Sequence, residues 1–182
     1  MAIANAVPRR AAEFSAGRAL ARKAIHLAGG EIAAIPMRAD RSPVWPRGFV
    51  GSISHSGELC AVAVAPSEFV CSLGLDIEQN DLATAEMVRY ICTPDELLRA
   101  RSLLADSDLA PRLLFSAKEA FFKASYPLFA VFLDFRDMEV SLTPGGGFTV
   151  ASPLIDQQHY HFTGRWNYTG GVMSAGVTCL RG

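Results

Sequence analysis

The sequence has little cysteine, no excess of either charge and no long apolar run, and each absence removes a class of protein. Its four cysteines, Cys60, Cys71, Cys92 and Cys179, form no CxxC pair and no metal-finger spacing. Three of them sit inside apolar runs, the setting of reduced, buried thiols in a cytosolic chain. Lysine and arginine number 17 against 18 aspartates and glutamates, a net charge of −1, so no global field draws the chain to nucleic acid or an acidic membrane. Any anion must be held by a local cluster. The opening MAIANAVPRRAAEF lacks the apolar core of a signal peptide, and no stretch is apolar enough to span a bilayer. A cytoplasmic protein with no nucleic-acid partner and no membrane span is expected.

What is present suffices for a core: 182 residues, half of them apolar, can build one compact unit or two small lobes that share one. RRAAEFSAGRALARKAIHL, from Arg9 to Leu27, reads as one helix stopped by Gly29-Gly30. Its Phe14, Ala21, Ala24 and Ile25 can face a core, while Arg18 and Arg22 share another, solvated face. RADRSPVWPRG is a proline-broken loop leading to GSISHSG, which sits at a strand end and turn. LCAVAVA and SLGLDIE are strand candidates. TPDELLRARSLL carries a capping box, Thr93 with Glu96, and Pro94 at the first helical position. DLAPRLLFSAKEAFFKA is a second long helix starting at Ser107 or Asp108. Strands follow: FLDFRDMEVSL, FTVAS, YHFTGRWNY and VMSAGVTCL, the last two joined by TGG in a hairpin. Each half offers a long helix plus strands. The fold class expected is therefore α/β in the α+β sense, with two lobes meeting near Ser72, 1–72 and 73–182.

Three clusters carry chemistry. In Asp76-Ile77-Glu78 the acids are two apart on a strand and share a face. At about 4 Å they would repel by roughly 4 kcal/mol at an effective dielectric near 20, a sign that a divalent cation such as Mg²⁺ reverses. In FSAKEAFFKA, Lys118, Glu119 and Lys123 lie on a helix, with Glu119 and Lys123 one turn apart. They form either an i,i+4 surface ion pair or, since Ala120, Phe121 and Phe122 are apolar, a half-buried charge that needs a stronger partner. In GSISHSG, His55 reads as a nucleophile's base, a metal ligand, an anion grip or a polar turn residue. The base reading fits least, because Ser54 and Ser56 flank His55 directly and no G-x-S-x-G elbow accompanies them. His159 and His161 share a face of a late strand, where packing outweighs a second metal site.

Taken in order, FSAGR, PVWPRGFVGSISHS, LGLDIE and FSAKEAFFKA followed by FLDF resemble the Sfp-type 4′-phosphopantetheinyl transferases, and within them the enterobactin synthetase component D-like branch. The match runs from about Phe14 to Phe135. The resemblance implies two pseudo-symmetric α/β lobes, each a long helix on a small, mainly antiparallel sheet, with the active site between them. It implies transfer of the phosphopantetheine arm of coenzyme A to a serine of an acyl, peptidyl or aryl carrier protein. Adenosine 3′,5′-bisphosphate is released, in the service of siderophore, polyketide, non-ribosomal peptide or fatty-acid synthesis. Asp76, Glu78 and Glu119 correspond to the carboxylates for Mg²⁺, with Mn²⁺ as the alternative ion, and Glu119 to the general base. Lys123 corresponds to the pyrophosphate contact, Ser54 and His55 to a phosphate grip, and Arg18, Arg10 and Arg41 to further cationic contacts with CoA. A monomer is implied. Members of this branch usually carry some tens of residues before the helix that here starts near Arg9, so the first lobe is expected to be shortened. A non-catalytic carrier-binding or CoA-binding module and a metal-dependent CoA phosphohydrolase are the competing classes.

Overall fold

The computed structural model describes residues 8–79 and 84–182. Among them the order is α1 (Pro8–Leu27), β1 (Phe49–Ser56), β2 (Leu59–Pro66), β3 (Ser72–Glu78), α2 (Ala85–Ile91), α3 (Pro94–Leu103), α4 (Ala110–Phe129), β4 (Glu139–Thr143), β5 (Gly147–Ala151), β6 (Tyr160–Thr169) and β7 (Val172–Arg181). β1 and β2 form an antiparallel hairpin, and the other strands form a five-stranded antiparallel sheet ordered β3-β7-β6-β5-β4. None of the described helices is long and apolar enough to cross a membrane.

Each long helix covers one sheet. Ala21 and Ile25 of α1, with Ile35, are buried against Trp45, Phe49, Ile53, Val62 and Val64 on and beside the hairpin. On the larger sheet, Ala117, Ala120, Phe121 and Ala124 of α4 pack against Phe148, Val150, Ala175 and Val177. The small residues of α4 let it lie close to the strands, and burial of such apolar surface is the main favourable term in folding. Pro111 is accommodated in the first turn of α4, and the helix ends where Ala130 takes the left-handed conformation. At the β6–β7 turn Gly170 and Gly171 both have positive φ, the requirement of a type I′ hairpin.

Several expectations change. GSISHSG is strand up to Ser56, all of it β1 except Gly57, and not a turn. The α4 region opens with a 3₁₀ turn at Ser107–Leu109 capped by Asp106, and α-helix begins only at Ala110. The seven-residue α2, capped by Thr84, went unread because so short a segment has almost no periodicity to detect. Arg18 is not on a solvated face: it is buried, its Nε donates to the Ile35 carbonyl at 2.8 Å, and its guanidinium lies 4.6 Å from the centre of the Phe14 ring.

Candidate active site

The site forms where α4 crosses β3 backbone to backbone. A Cβ on Gly74 would stand 1.7 Å from the Ala120 carbonyl oxygen, so only glycine permits this approach. Asp76 follows two residues along β3, and Glu119 and Lys123 flank the contacted turn of α4. Lys123 Nζ donates to Asp76 Oδ1 at 2.6 Å, and also lies 3.2 Å from the Leu75 carbonyl and 3.3 Å from Ser54 Oγ. Lys123 thus turns to Asp76 rather than forming the i,i+4 pair with Glu119 that its spacing allows.

β3 is an edge strand of its sheet, and edge N–H groups must be covered or solvated. Here side chains of β1 cover them. The N–H groups of Leu75, Ile77 and Gln79 donate to Ser52 Oγ, Ser54 Oγ and Ser56 Oγ at 2.9, 3.2 and 3.0 Å. Two of these hydroxyls then donate onward, Ser54 to Asp76 Oδ1 at 2.9 Å and Ser56 to Glu78 Oε2 at 3.0 Å. Alternation along a strand puts all three serines on this face, and all three are buried.

The consequence for Asp76 is asymmetric. Its Oδ1 receives both Ser54 and Lys123, while Oδ2 is buried with no hydrogen-bond partner. Burial, and then the charge of Asp76, hold the Glu78 carboxyl above its usual range, with Glu119 adding to the effect. Burial likewise pushes Glu119 up; Lys123 opposes it and Asp76 reinforces it. Three carboxyl groups thus share the neighbourhood of one ammonium. Among the described residues no three His, Cys, Asp or Glu side chains are gathered tightly enough to hold a metal by themselves. Mg²⁺ binds through one or two carboxylates and completes its shell with waters and substrate oxygens. The orphaned Asp76 Oδ2 fits such an ion.

Ser54 and His55 part company. The Ser54 hydroxyl has one donor and two acceptor sites, which Asp76, the Ile77 N–H and Lys123 occupy. His55 points the other way, toward α1, where a Cβ on Gly17 would stand 2.8 Å from His55 Nε2. That nitrogen is buried without a hydrogen-bond partner. Arg10 and Arg41 are both exposed, Arg10 near the start of α1 and Arg41 in the loop before β1, where it takes a φ of 71°. A cavity of about 250 Å³ at the start of α4, walled by Val88, Asp106, Asp108, Leu109, Arg112 and Tyr168, includes none of Asp76, Glu78 and Glu119.

Two features escaped the sequence. Lys118 is wholly buried, donating to Glu96 Oε2 and the Ile91 carbonyl at 2.8 Å and to the Phe135 carbonyl at 3.0 Å. Glu96 also caps α3 and accepts from the Val140 N–H. The capping box was visible in sequence, but its second partner, 22 residues on, was not. The serine ladder left a signal, the period of two in Ser52-Ile53-Ser54-His55-Ser56, which the glycines at either end disguised as a turn.

Comparison with known proteins places these elements. The family model for the 4′-phosphopantetheinyl transferase N-terminal domain matches residues 1–65, and that for the 4′-phosphopantetheinyl transferase superfamily matches residues 72–174. The chain is 34% identical to the 4′-phosphopantetheinyl transferase Svp of Streptomyces mobaraensis, over 96% of this chain and 74% of that one. It is 30% identical to the 4′-phosphopantetheinyl transferase Npt of Nocardia iowensis, over 96% and 85%. Enterobactin synthase component D of Escherichia coli strain K12 is 37% identical over 63% of this chain and 61% of its own.

Proposed function

The chain belongs to the 4′-phosphopantetheinyl transferase superfamily, and from that premise we propose that it uses the acids between α4 and β3 to modify a carrier protein. The phosphopantetheine arm of coenzyme A passes to a serine hydroxyl of an acyl, peptidyl or aryl carrier. The serine oxygen forms a bond to the phosphorus bearing pantetheine, the pyrophosphate P–O bond breaks, and adenosine 3′,5′-bisphosphate departs. The serine proton goes to Glu119, directly or through water.

The observation that carries this reading is Asp76 Oδ2, a buried carboxylate oxygen without a partner beside Glu78 and Glu119. Asp76, Glu78 and Glu119 would hold Mg²⁺, or Mn²⁺ in its place. When bound, the ion neutralises charge on the pyrophosphate, the dominant demand of phosphoryl transfer. The raised Glu119 carboxyl suits a general base, whose efficiency peaks when its pKa nears the working pH. Lys123 orients the pyrophosphate and balances the departing bisphosphate. His55, with its unpartnered Nε2, contacts a CoA phosphate from the α1 side, and Arg18, Arg10 and Arg41 supply further positive charge. Segments 1–72 and 73–182 act as two lobes of one monomeric cytoplasmic enzyme. Similarity to the enterobactin components supports siderophore synthesis as its setting.

The test is to incubate the protein with CoA, Mg²⁺ and apo acyl, peptidyl and aryl carriers, and to follow carrier mass. Phosphopantetheine addition is expected on at least one; none across a broad panel refutes the reading, and bisphosphate release without a carrier makes water the acceptor. Glu119→Ala is expected to abolish transfer with CoA binding retained, and His55→Ala to weaken CoA chiefly. Intact CoA affinity with lost turnover in His55→Ala would overturn the role given to His55.

A further inference from the structure

We propose that Ser54 and Ser56 are positioning residues that tie the docking of the β1–β2 hairpin to the loading of the cation site; this rests on the cation reading above. The same two hydroxyls do both jobs. As acceptors they take the edge N–H groups of Ile77 and Gln79, which fixes β1 against β3. As donors they fix Asp76 Oδ1 and Glu78 Oε2, which sets the rotamer of each acid. A hydroxyl polarised by an incoming N–H donates more strongly, so the two halves of each relay reinforce one another. Hairpin and acids thus lie on different sheets, yet neither acid is fully oriented until the hairpin is seated.

Ser52 is the internal control. It accepts the Leu75 N–H at 2.9 Å and is buried like the others, but it lies beyond the acids. Groups that orient metal ligands through hydrogen bonds typically contribute 10–100-fold to metal affinity. A hydroxyl serving only to cover a strand edge contributes to docking alone.

The experiment uses the full chain without CoA. Mn²⁺ affinity is read by electron paramagnetic resonance, and protection of the Leu75, Ile77 and Gln79 amides by hydrogen exchange. Ser54→Ala and Ser56→Ala are each expected to weaken Mn²⁺ about 10-fold or more and to deprotect their own amide. Ser52→Ala is expected to deprotect Leu75 while holding Mn²⁺ affinity within about twofold, and Ser56→Thr to restore Mn²⁺ binding because the hydroxyl returns. In the reverse direction, saturating Mn²⁺ is expected to slow exchange at Ile77 and Gln79, since coupling between two events is reciprocal. A wild-type protein that binds no Mn²⁺ overturns the cation reading and this coupling with it. Wild-type binding with equal losses in all three alanine variants overturns the coupling alone, because the serines then act only as supports of the fold.

Discussion

Gly74→Ala tests whether the chemistry depends on the closeness of α4 to β3. An added methyl would sit 1.7 Å from the Ala120 carbonyl oxygen, 2.8 Å from its carbon and 2.9 Å from the Ala124 nitrogen. All three atoms are backbone, so no rotamer change relieves the clash, and the helix and strand must separate by about 1 Å or more to reach ordinary contact. Ala120 and Ala124 are the chain neighbours of Glu119 and Lys123, so the displacement passes straight to the 2.6 Å Lys123–Asp76 pair. Overpacking of this kind costs about 1–3 kcal/mol, a fall in Tm of very roughly 2–12 °C for a chain of this size. A misplacement of about 1 Å at reacting groups costs on the order of 100-fold in rate. Single-turnover carrier modification, followed by mass at saturating CoA, is expected to slow by that order while near-UV circular dichroism stays native. A folded Gly74→Ala protein within about threefold of the wild-type rate would show that the approach at Gly74 does not set the geometry of the acids.

Two further outcomes follow from the buried charges. Lys118→Met strands the Glu96 carboxylate in a site where both side chains are fully buried; it is expected to lower the free energy of urea unfolding by about 3–5 kcal/mol. Adding Glu96→Gln should recover much of it, and a single-variant loss below about 1 kcal/mol would contradict the pair's role. Glu78 is raised from 4.5 by burial and by Asp76, so its contribution to stability is complete below the unfolded value and is lost as pH rises through the higher folded one. Measured by Tm from about pH 4 to about pH 8 without divalent ions, Glu78→Gln should gain on wild type as pH rises, and Mg²⁺ should shrink the gap by stabilising wild type. A difference independent of pH would refute this assignment.

The limits of reading the sequence show in particular residues. Asp76, Glu78, Glu119 and Lys123 were legible because each sits at a fixed period on its own element, and the structure brings these four together. Their partners were not, because pairing across sheets leaves no spacing to count: Lys123 had Glu119 one turn away and took Asp76, 47 residues distant. Ser54 and His55 are neighbours in sequence and therefore lie on opposite faces of a strand. One serves Asp76 and the other faces α1. Arg18 was not legible, its charge suggesting solvent and its neighbour Gly17 offering no hint that β1 lies against that turn of α1.

These contacts divide the work of placing the acids. Gly74 sets the distance between α4 and β3, and nothing about it fixes how the helix is turned. Lys118 supplies that constraint from the far side of α4, where three hydrogen bonds to α3, the end of α2 and the turn after α4 hold the helix against rotation. Glu119 is the next residue, so its direction into the site follows from where Lys118 is anchored. Neither contact touches the rotamers of Asp76 and Glu78, which the serines govern from the other sheet. Acids held at three independent points cannot relax by small movements of any one element. Lys123 offsets the charge of Asp76 through Oδ1, and Asp76 Oδ2 is left buried without a hydrogen-bond partner.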